Sequence, residues 1–387
     1  MKRPLKIGLL SPYSSIYPFY AAHLTAGILL GMNLDPFRQN QVQFIPAYTK
    51  LGSAASTQEA ANKLIFFDQI DILSGLISYQ SIPDLIPTID NHRKMGFFFD
   101  MGEYIPYFNH LSPEIFYSSQ QIWQTQYALG NWAYKEYGDT GMMVMPLYES
   151  GYHLSNAFRH GAGDAGSKQM LNHIFPNKTG DWGQTELDVF FADVKKYAPA
   201  YVHAIFTGKQ SSTFLTAWRA SEFYKNIPLL VAENMVYDDV LYDVAHLDFE
   251  LYATVSWNYD SEDVRNREFV KKFETKGGQK ANIFGLLGYE TGLALNAVRP
   301  QLDKQDWDGA KALLRKESIR GPRGERNFYP QSGFSLPITD VVRIKTTTNK
   351  IYKTVVSQGN GLKFDSANFK AIHEGCLSGW QNPYMCI

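Results

Sequence analysis

The sequence predicts an α/β protein built as two lobes, each around a doubly wound parallel sheet. Three observations carry this. Residues 6–103 contain four successive strand–loop–helix units, which is the pattern of a parallel sheet with helices on both faces. From residue 121 a second series repeats that plan. At 387 residues the chain also exceeds what one ordinary core accommodates, about 150 residues per domain being typical.

The first unit sets the pattern. Ile7–Leu10 is a short apolar run that breaks at Ser11-Pro12 into a Tyr/Ser-rich turn, and a helix follows with Ala21, Ala22, Ala26, Gly27 and Gly31. Short polar side chains just past a strand, beside a helix N-terminus, suit anionic or polar ligand atoms, although any first βα unit looks similar. Val42–Ala47 is the second strand, and Ser56–Phe67 a helix with Ala60, Ala61, Leu64 and Ile65 on one face. Ile70–Gly75 is the third, followed by LISYQS and a helix opening near Ile82-Pro83, where proline suits a first turn. Gly96–Phe99 is a short buried strand ending in Asp100-Met101-Gly102-Glu103.

In the second series, Ile122–Tyr137 is helical, Gly141–Met145 is a strand, and PLYESGY is its turn. A helix starts over Tyr152–Arg159, and Gly161–Ser167 reads as a glycine-rich loop. Tyr201–Phe206 is a strand followed by TGKQSS and a helix over Thr213–Tyr224; Pro228–Ala232 is a strand followed by ENMVYDD. Glu250–Trp257 leads out of this lobe. Helices over Ser261–Lys276, Ile283–Pro300 and Trp307–Lys316 follow, the middle one carrying Gly288, Gly292 and Ala294 for close packing. Thr339–Lys345 and Lys350–Val356 form an antiparallel pair, and the stretch after Gly361 is weakly patterned.

Composition narrows function. With 44% hydrophobic and 19% charged residues the chain is globular, and a net charge of -1 without a basic stripe gives nucleic acid no footprint. There is no run of about 18 apolar residues to span a membrane. The first strand begins directly after Met1-Lys2-Arg3-Pro4, so the chain is either cytosolic or has lost a leader. Cys376 and Cys386 would form a disulfide in an oxidising compartment or stand as two free thiols, and no Cys/His spacing suggests a metal site. Nucleophile-elbow, phosphate-loop and H-E-x-x-H motifs are absent, and HGAGDAG at His160–Gly166 follows a helix rather than a strand, which disqualifies it as a dinucleotide fingerprint. The sequence therefore predicts no catalytic residues, cofactor or metal. His153 and His203 read as structural.

Five segments in order carry a family resemblance: KIGLLSPYSSIY, DILSGLISYQSIPDLIP, MMVMPLYESGYHLSNAF, FVKKFETKGGQKANIFGLLGYETGLALNAV and ESIRGPRGERNFYPQSGFSLP. Together they resemble the type I periplasmic-binding-protein family, in particular its branched-chain-amino-acid-binding branch, over most of residues 5–356. The resemblance implies two lobes joined by three hinge crossings near 119–123, 253–257 and 331–337. It divides the chain into residues 1–120 with 256–332 and residues 121–255 with 333–387, with a ligand cleft between them that closes by a hinge motion.

Ligand positions follow by motif. In the first lobe they are Ser14, Ser15, Tyr17, Ser78, Tyr79 and Gln80, then Asp100, Gly102 and Glu103; in the second, Tyr148, Glu149, Tyr152, Gly208, Lys209, Gln210, Glu233 and Asn234. The resemblance places Tyr152 over the ligand, Glu149 against an ammonium, and Lys209 against an acid or in an interlobe salt bridge. Where relatives that bind amino acids offer a small residue and a threonine, this chain has Asp100–Glu103. An acidic loop there repels a carboxylate and suits a cation, a polyol or a donor-rich ligand. Plainer readings stand beside these: Ser14 and Ser15 as caps of the first helix, Asp100 and Glu149 as solvated loop charges, Tyr79 and Tyr148 as rim, Lys209 as exposed, Trp257 as core. With 24 Tyr, 25 Phe and 7 Trp, the loops favour an aromatic or partly apolar ligand. The implied function is a non-enzymatic extracytoplasmic receptor, a monomer by default, that passes a small molecule to an ABC-transporter permease. The alternatives are a ligand-sensing domain of a regulator and, behind it, an enzyme using cleft carboxylates.

Overall fold

The computed structural model describes residues 3–106, 112–176, 183–328, 339–348, 350–359, 361–362, 366–374, 379–380 and 382–385. The opening units are β1 (Leu5–Ser11), α1 (Tyr20–Gly31), β2 (Val42–Tyr48), α2 (Ala54–Phe66), β3 (Ile72–Leu76), α3 (Ile82–Asn91), β4 (Met95–Asp100) and β5 (Ile115–Ser119). They make an all-parallel five-stranded sheet in the order β2-β1-β3-β4-β5.

The second series is α4 (Ile122–Tyr137), β6 (Gly141–Pro146), α5 (Leu147–Ser150), α6 (Leu154–Ala165), β7 (Met170–Phe175), α7 (Gln184–Tyr197), β8 (Tyr201–Ala204), α8 (Gly208–Ala220), β9 (Leu229–Val231), α9 (Asp238–Val244) and β10 (Glu250–Val255). Next come α10 (Val264–Gly277), α11 (Ile283–Ala297), α12 (Arg299–Asp303), α13 (Trp307–Lys316), the small pair β11 (Ile319–Gly321) and β12 (Gly324–Arg326), then β13 (Asp340–Thr347), β14 (Lys350–Gln358) and α14 (Ser366–Glu374). The second sheet runs β14-β13-β10-β9-β8-β6-β7, with β13 and β14 antiparallel at one edge. Without that edge pair its order repeats the first sheet's, so both have a topological switch point beside their opening strand. The two-lobed α/β architecture expected from sequence is the one observed.

Both sheets are covered by helices packed through glycine. A Cβ at Gly27 would stand 2.3 Å from Gly285 O, and one at Gly31 2.2 Å from Tyr289 O, so α1 and α11 touch backbone to backbone. In the second lobe Gly130 and Gly161 do the same for α4 and α6, at 2.0 Å from Phe158 O and 1.9 Å from Tyr127 O. The loop expected over Gly161–Ser167 is therefore corrected: α6 continues to Ala165, because Gly161 is needed at this helix contact. The sequence reading has no counterpart for β5, β7 or α7. The first is a three-residue apolar run followed by serines, and the second an edge strand with only its last residue buried.

Helix limits also differ at functional positions. α8 begins at Gly208, not Thr213, which puts Lys209 and Gln210 in its first turn. Neither Ser14 nor Ser15 caps α1, which starts at Tyr20 with no side-chain cap; Ser14 instead accepts from Tyr17 N at 3.0 Å within the turn. The weakly patterned stretch after Gly361 contains α14, whose Phe369 meets Trp123 edge-on at 5.3 Å. The crossing expected near 331–337 and both cysteines lie outside the described residues. At the first crossing, Arg323 is bonded to the buried Glu290 carboxylate (2.5 Å) and reaches Ser119 O, while Arg326 bonds the same carboxylate at 2.7 Å. Burial alone would raise the pKa of Glu290, but the two guanidinium charges outweigh it and hold the carboxylate ionised. Among the described residues no helix is long and apolar enough to cross a membrane.

Candidate functional site

The turns after the carboxyl ends of β1 and β4 meet those after β6, β8 and β9. His153 N donates to Glu103 O at 2.9 Å, Tyr17 Oη donates to Asp239 at 3.1 Å, and Gly208 faces the Ile16 side chain. This contact zone has two parts of different character.

The first part is a cavity of about 290 Å³. Tyr17, Phe19, His23 and the start of α11 with Phe284 wall it from one lobe; Glu233, Tyr237, Asp238 and Asp239 wall it from the other, and Trp257 and Tyr259 close the side where the chain crosses back. Tyr17 and Phe284 meet edge-on at 5.3 Å. Asn282 caps α11 by accepting from Gly285 N at 3.1 Å and contacts His23 Nδ1 at 2.8 Å. Burial lowers the pKa of His23, so it is neutral at pH 7. Asp238 takes Lys280 at 2.5 Å and Lys353 at 3.4 Å; burial opposes its ionisation, yet the lysines bring its pKa below the usual carboxylate range. Glu233 accepts from both Ser256 N and Ser256 Oγ at 2.8 Å and is shifted upward by burial. Its bonds to Ser256 tie a cavity wall to the second crossing.

The second part is filled by the chain itself, by residues 379–380 and 382–385. Trp380 Nε1 donates to Tyr148 O at 2.8 Å, and Trp380 O accepts from Tyr104 Oη at 2.5 Å. Tyr148 and Tyr152 share a hydroxyl hydrogen bond of 2.7 Å, and Asn382 Nδ2 donates to Tyr152 Oη at 3.2 Å. Ser14 Oγ donates to Met385 O at 2.8 Å. Tyr384 is wholly buried, stacks edge-on with Tyr152 at 5.0 Å and turns its phenol to Glu149.

Two buried carboxyls, Glu149 and Glu103, line this filled part, and a third, Asp100, lies beside Glu103 at the first crossing. Burial raises the Glu149 pKa to about 7, against the opposing pull of the Thr207 and Tyr384 hydroxyls, the first donating at 2.7 Å. Asp100 and Glu103 are both pushed up by burial, Glu103 further by the Asp100 charge. Asp100 and Glu149 are thus 2% and 0% exposed, which corrects their reading as solvated loop charges. Among the described residues no cluster of three or more His, Cys, Asp or Glu is disposed to hold a metal ion.

The expected ligand positions scatter over these surroundings. Tyr17 and Glu233 line the open cavity. Ser14, Glu103, Tyr148, Glu149 and Tyr152 surround residues 379–380 and 382–385, and Gln80 lies 3.5 Å from where a Gly379 Cβ would be. Asp100 bonds Ser119 Oγ, and Gly102, at φ +71, lies against the Gln121 backbone with its O accepting from Trp123 N at 2.9 Å. This pair braces the first crossing. Ser78 caps its own turn by accepting from Gln80 N, Tyr79 packs on Tyr117 at 5.9 Å, and Ser15 and Lys209 are exposed. Gln210 is half-buried in α8, and Asn234 Nδ2 bonds Phe206 O at 2.6 Å. His153 and His203 are buried, with pKa values lowered to about 3 by desolvation; His203 bonds Gln126 and stacks on Phe158. Trp257, read as core, is half-buried on the cavity wall. Phe284, Asn282 and Lys280 lie inside the quoted NIFGLLG stretch and its approach, and Asp238 and Asp239 inside ENMVYDD, so segments already singled out contained them. Tyr384 had no such signal.

The sequence profile of the periplasmic binding protein family matches residues 4–346. Curated protein sequences give no match. Solved structures do. An ABC transporter substrate-binding protein from Sphaerobacter thermophilus has 17% identity and a TM-score of 0.77 over 92% of this chain and 97% of its own. A solute-binding protein of an ABC transporter from Rhodopseudomonas palustris HaA2, in complex with p-hydroxybenzoic acid, has 17% identity and a TM-score of 0.75 over 93% and 98%. A branched-chain amino acid ABC transporter periplasmic ligand-binding protein from Burkholderia xenovorans has 15% identity and a TM-score of 0.70 over 92% and 96%. At these identities the likeness is one of fold.

Proposed function

The chain belongs to the periplasmic binding protein family, and from that premise we propose that it is the extracytoplasmic receptor of an ABC transporter, taking a small aromatic molecule with polar ends into the open cavity and presenting it to a membrane permease. The lobes are taken as residues 1–120 with 256–332 and residues 121–255 with 333–387. The supporting observation is the cavity itself, walled by Tyr17 and Phe284 from one lobe, Tyr237 from the other and Trp257 at the crossing. Its volume of about 290 Å³ lies at the small end for ligand pockets and suits one ring with short substituents. Lys280 offers a donor on its walls, and Glu233 and Asp239 offer acceptors. A solved relative holding p-hydroxybenzoic acid supports the same class.

The reading is of capture and release, not turnover. Only contacts made better in the closed form would shift the lobes, and Tyr17–Asp239, which joins them across the cavity, belongs to that form. The test is a thermal-shift panel of benzoate, 4-hydroxybenzoate, 3,4-dihydroxybenzoate, phenylalanine, tyrosine and leucine. A ligand at 100 times its dissociation constant adds about 2.7 kcal/mol, and that rise should disappear in Phe284→Ala. No shift from any aromatic compound, or chemical conversion of an added one, would overturn the proposal.

A further inference from the structure

Residues 380 and 382–385 lie between the lobes as a bound peptide would, and both sides are shaped to them. On the second lobe, a Cβ at Gly151 would fall 1.5 Å from Trp380 Nε1; on the first, a Cβ at Gly52 would fall 2.5 Å from Pro383 Cδ. Polar contacts also come from both sides, Ser14 and Tyr104 from the first lobe, Tyr148 and Tyr152 from the second. Tyr384 is completely enclosed, an aromatic anchor of the kind that dominates peptide interfaces.

We propose that this part of the cleft is a peptide-binding site occupied by the chain's own Trp380 and Asn382–Met385, which strap the lobes together without a small ligand. The inference rests on the interlobe reading above but concerns a different ligand, a peptide, and a neighbouring surface. The strap and the cavity meet at Tyr237, which lines the cavity and lies within electrostatic reach of both Tyr17 and Tyr384. A tethered segment acts at an effective concentration in the millimolar range, so even a weak contact is mostly made. Opening the lobes then requires the strap to let go of one of them.

The experiment uses the full chain and a synthetic hexapeptide, Trp-Gln-Asn-Pro-Tyr-Met. The variant Trp380→Ala/Tyr384→Ala weakens the strap; Gly151→Ala, at an ordinary helical φ of -77, blocks the Trp380 position while leaving the segment unchanged. The peptide should bind the double variant one-to-one by calorimetry, bind the unaltered chain at least tenfold more weakly because its site is taken, and fail to bind Gly151→Ala. Small-angle scattering should show a larger radius of gyration for both variants than for the unaltered chain. Equal peptide binding by the double variant and the unaltered chain, no binding by the double variant at millimolar peptide, or unchanged scattering would each overturn the proposal. None of these readouts depends on a small molecule, so failure of the aromatic-ligand panel leaves this test intact.

Discussion

Two carboxyls, one in each part of the interlobe cleft, are held in opposite ways by their surroundings, Asp238 in the cavity and Glu149 in the filled part. In the open cavity Asp238 is held ionised by Lys280 and Lys353, and aromatic rings wall the space without filling it. In the filled part the groups acting on Glu149 are hydroxyls, burial raises its pKa to about 7, and a phenol of the same chain lies against it. Charge that is matched by lysine tolerates a polar, accessible cavity. Charge that is only hydrogen-bonded favours its neutral form once buried, and the site is stable when closed over. One fold edge thus yields a receptive surface and a sealed one.

Changes on each side should separate the two. Phe284→Ala removes a cavity wall that is itself 3% exposed, and unfolding experiments should show a loss of about 3–5 kcal/mol. Hexapeptide binding should be unaffected, since the Phe284 ring packs on Tyr17 and Tyr20 at the cavity. Glu149→Gln tests the sealed side through pH. Because its folded pKa of about 7 lies above the ordinary value of 4.5, the folded chain holds the proton more tightly, so stability falls as pH rises from about 4.5 to about 7. Glutamine keeps the Thr207 contact and cannot ionise. Above pH 7 it should therefore be more stable than the unaltered chain by on the order of 3 kcal/mol, with the difference vanishing below pH 4.5. A parallel pair of stability–pH curves would rule this out. Tyr148→Phe, which deletes the 2.7 Å bond to Tyr152, should cost about 1 kcal/mol in chemical denaturation. Lys280→Ala is the smallest: its half-exposed ion pair with Asp238 contributes at most about 1 kcal/mol, and the readout is a pKa of Asp238 moving upward by NMR.

How much of this was legible in the sequence depended on distance along the chain. Apolar runs and small-residue periodicity located nearly every strand and helix of both sheets, because those signals are local. Gly288 and Gly292 even marked close packing before the helix they pack against was known. The loop assigned to Gly161–Ser167 failed because glycine signals a turn and a tight helix contact equally well. Motif resemblance named turns but could not orient the side chains in them: Tyr17 and Glu233 reach the cavity, whereas Asp100 and Gly102 turn to the crossing at Ser119–Trp123. The strap was invisible. Ser14 and Met385 lie 371 residues apart, and no local pattern specifies such a pairing.

The glycine contacts between α1 and α11 and between α4 and α6 have a mechanical consequence. Backbones at van der Waals distance leave no side chain that could repack, so each lobe has little internal compliance. Load applied at the cleft then has few places to deform other than the short crossings, where Gln121 at φ 56 and the Ser256–Glu233 bonds lie. In the proposed receptor the lobes would act as stiff lever arms, and a displacement of an ångström at the cavity would be magnified at their outer ends, the surface a permease would read.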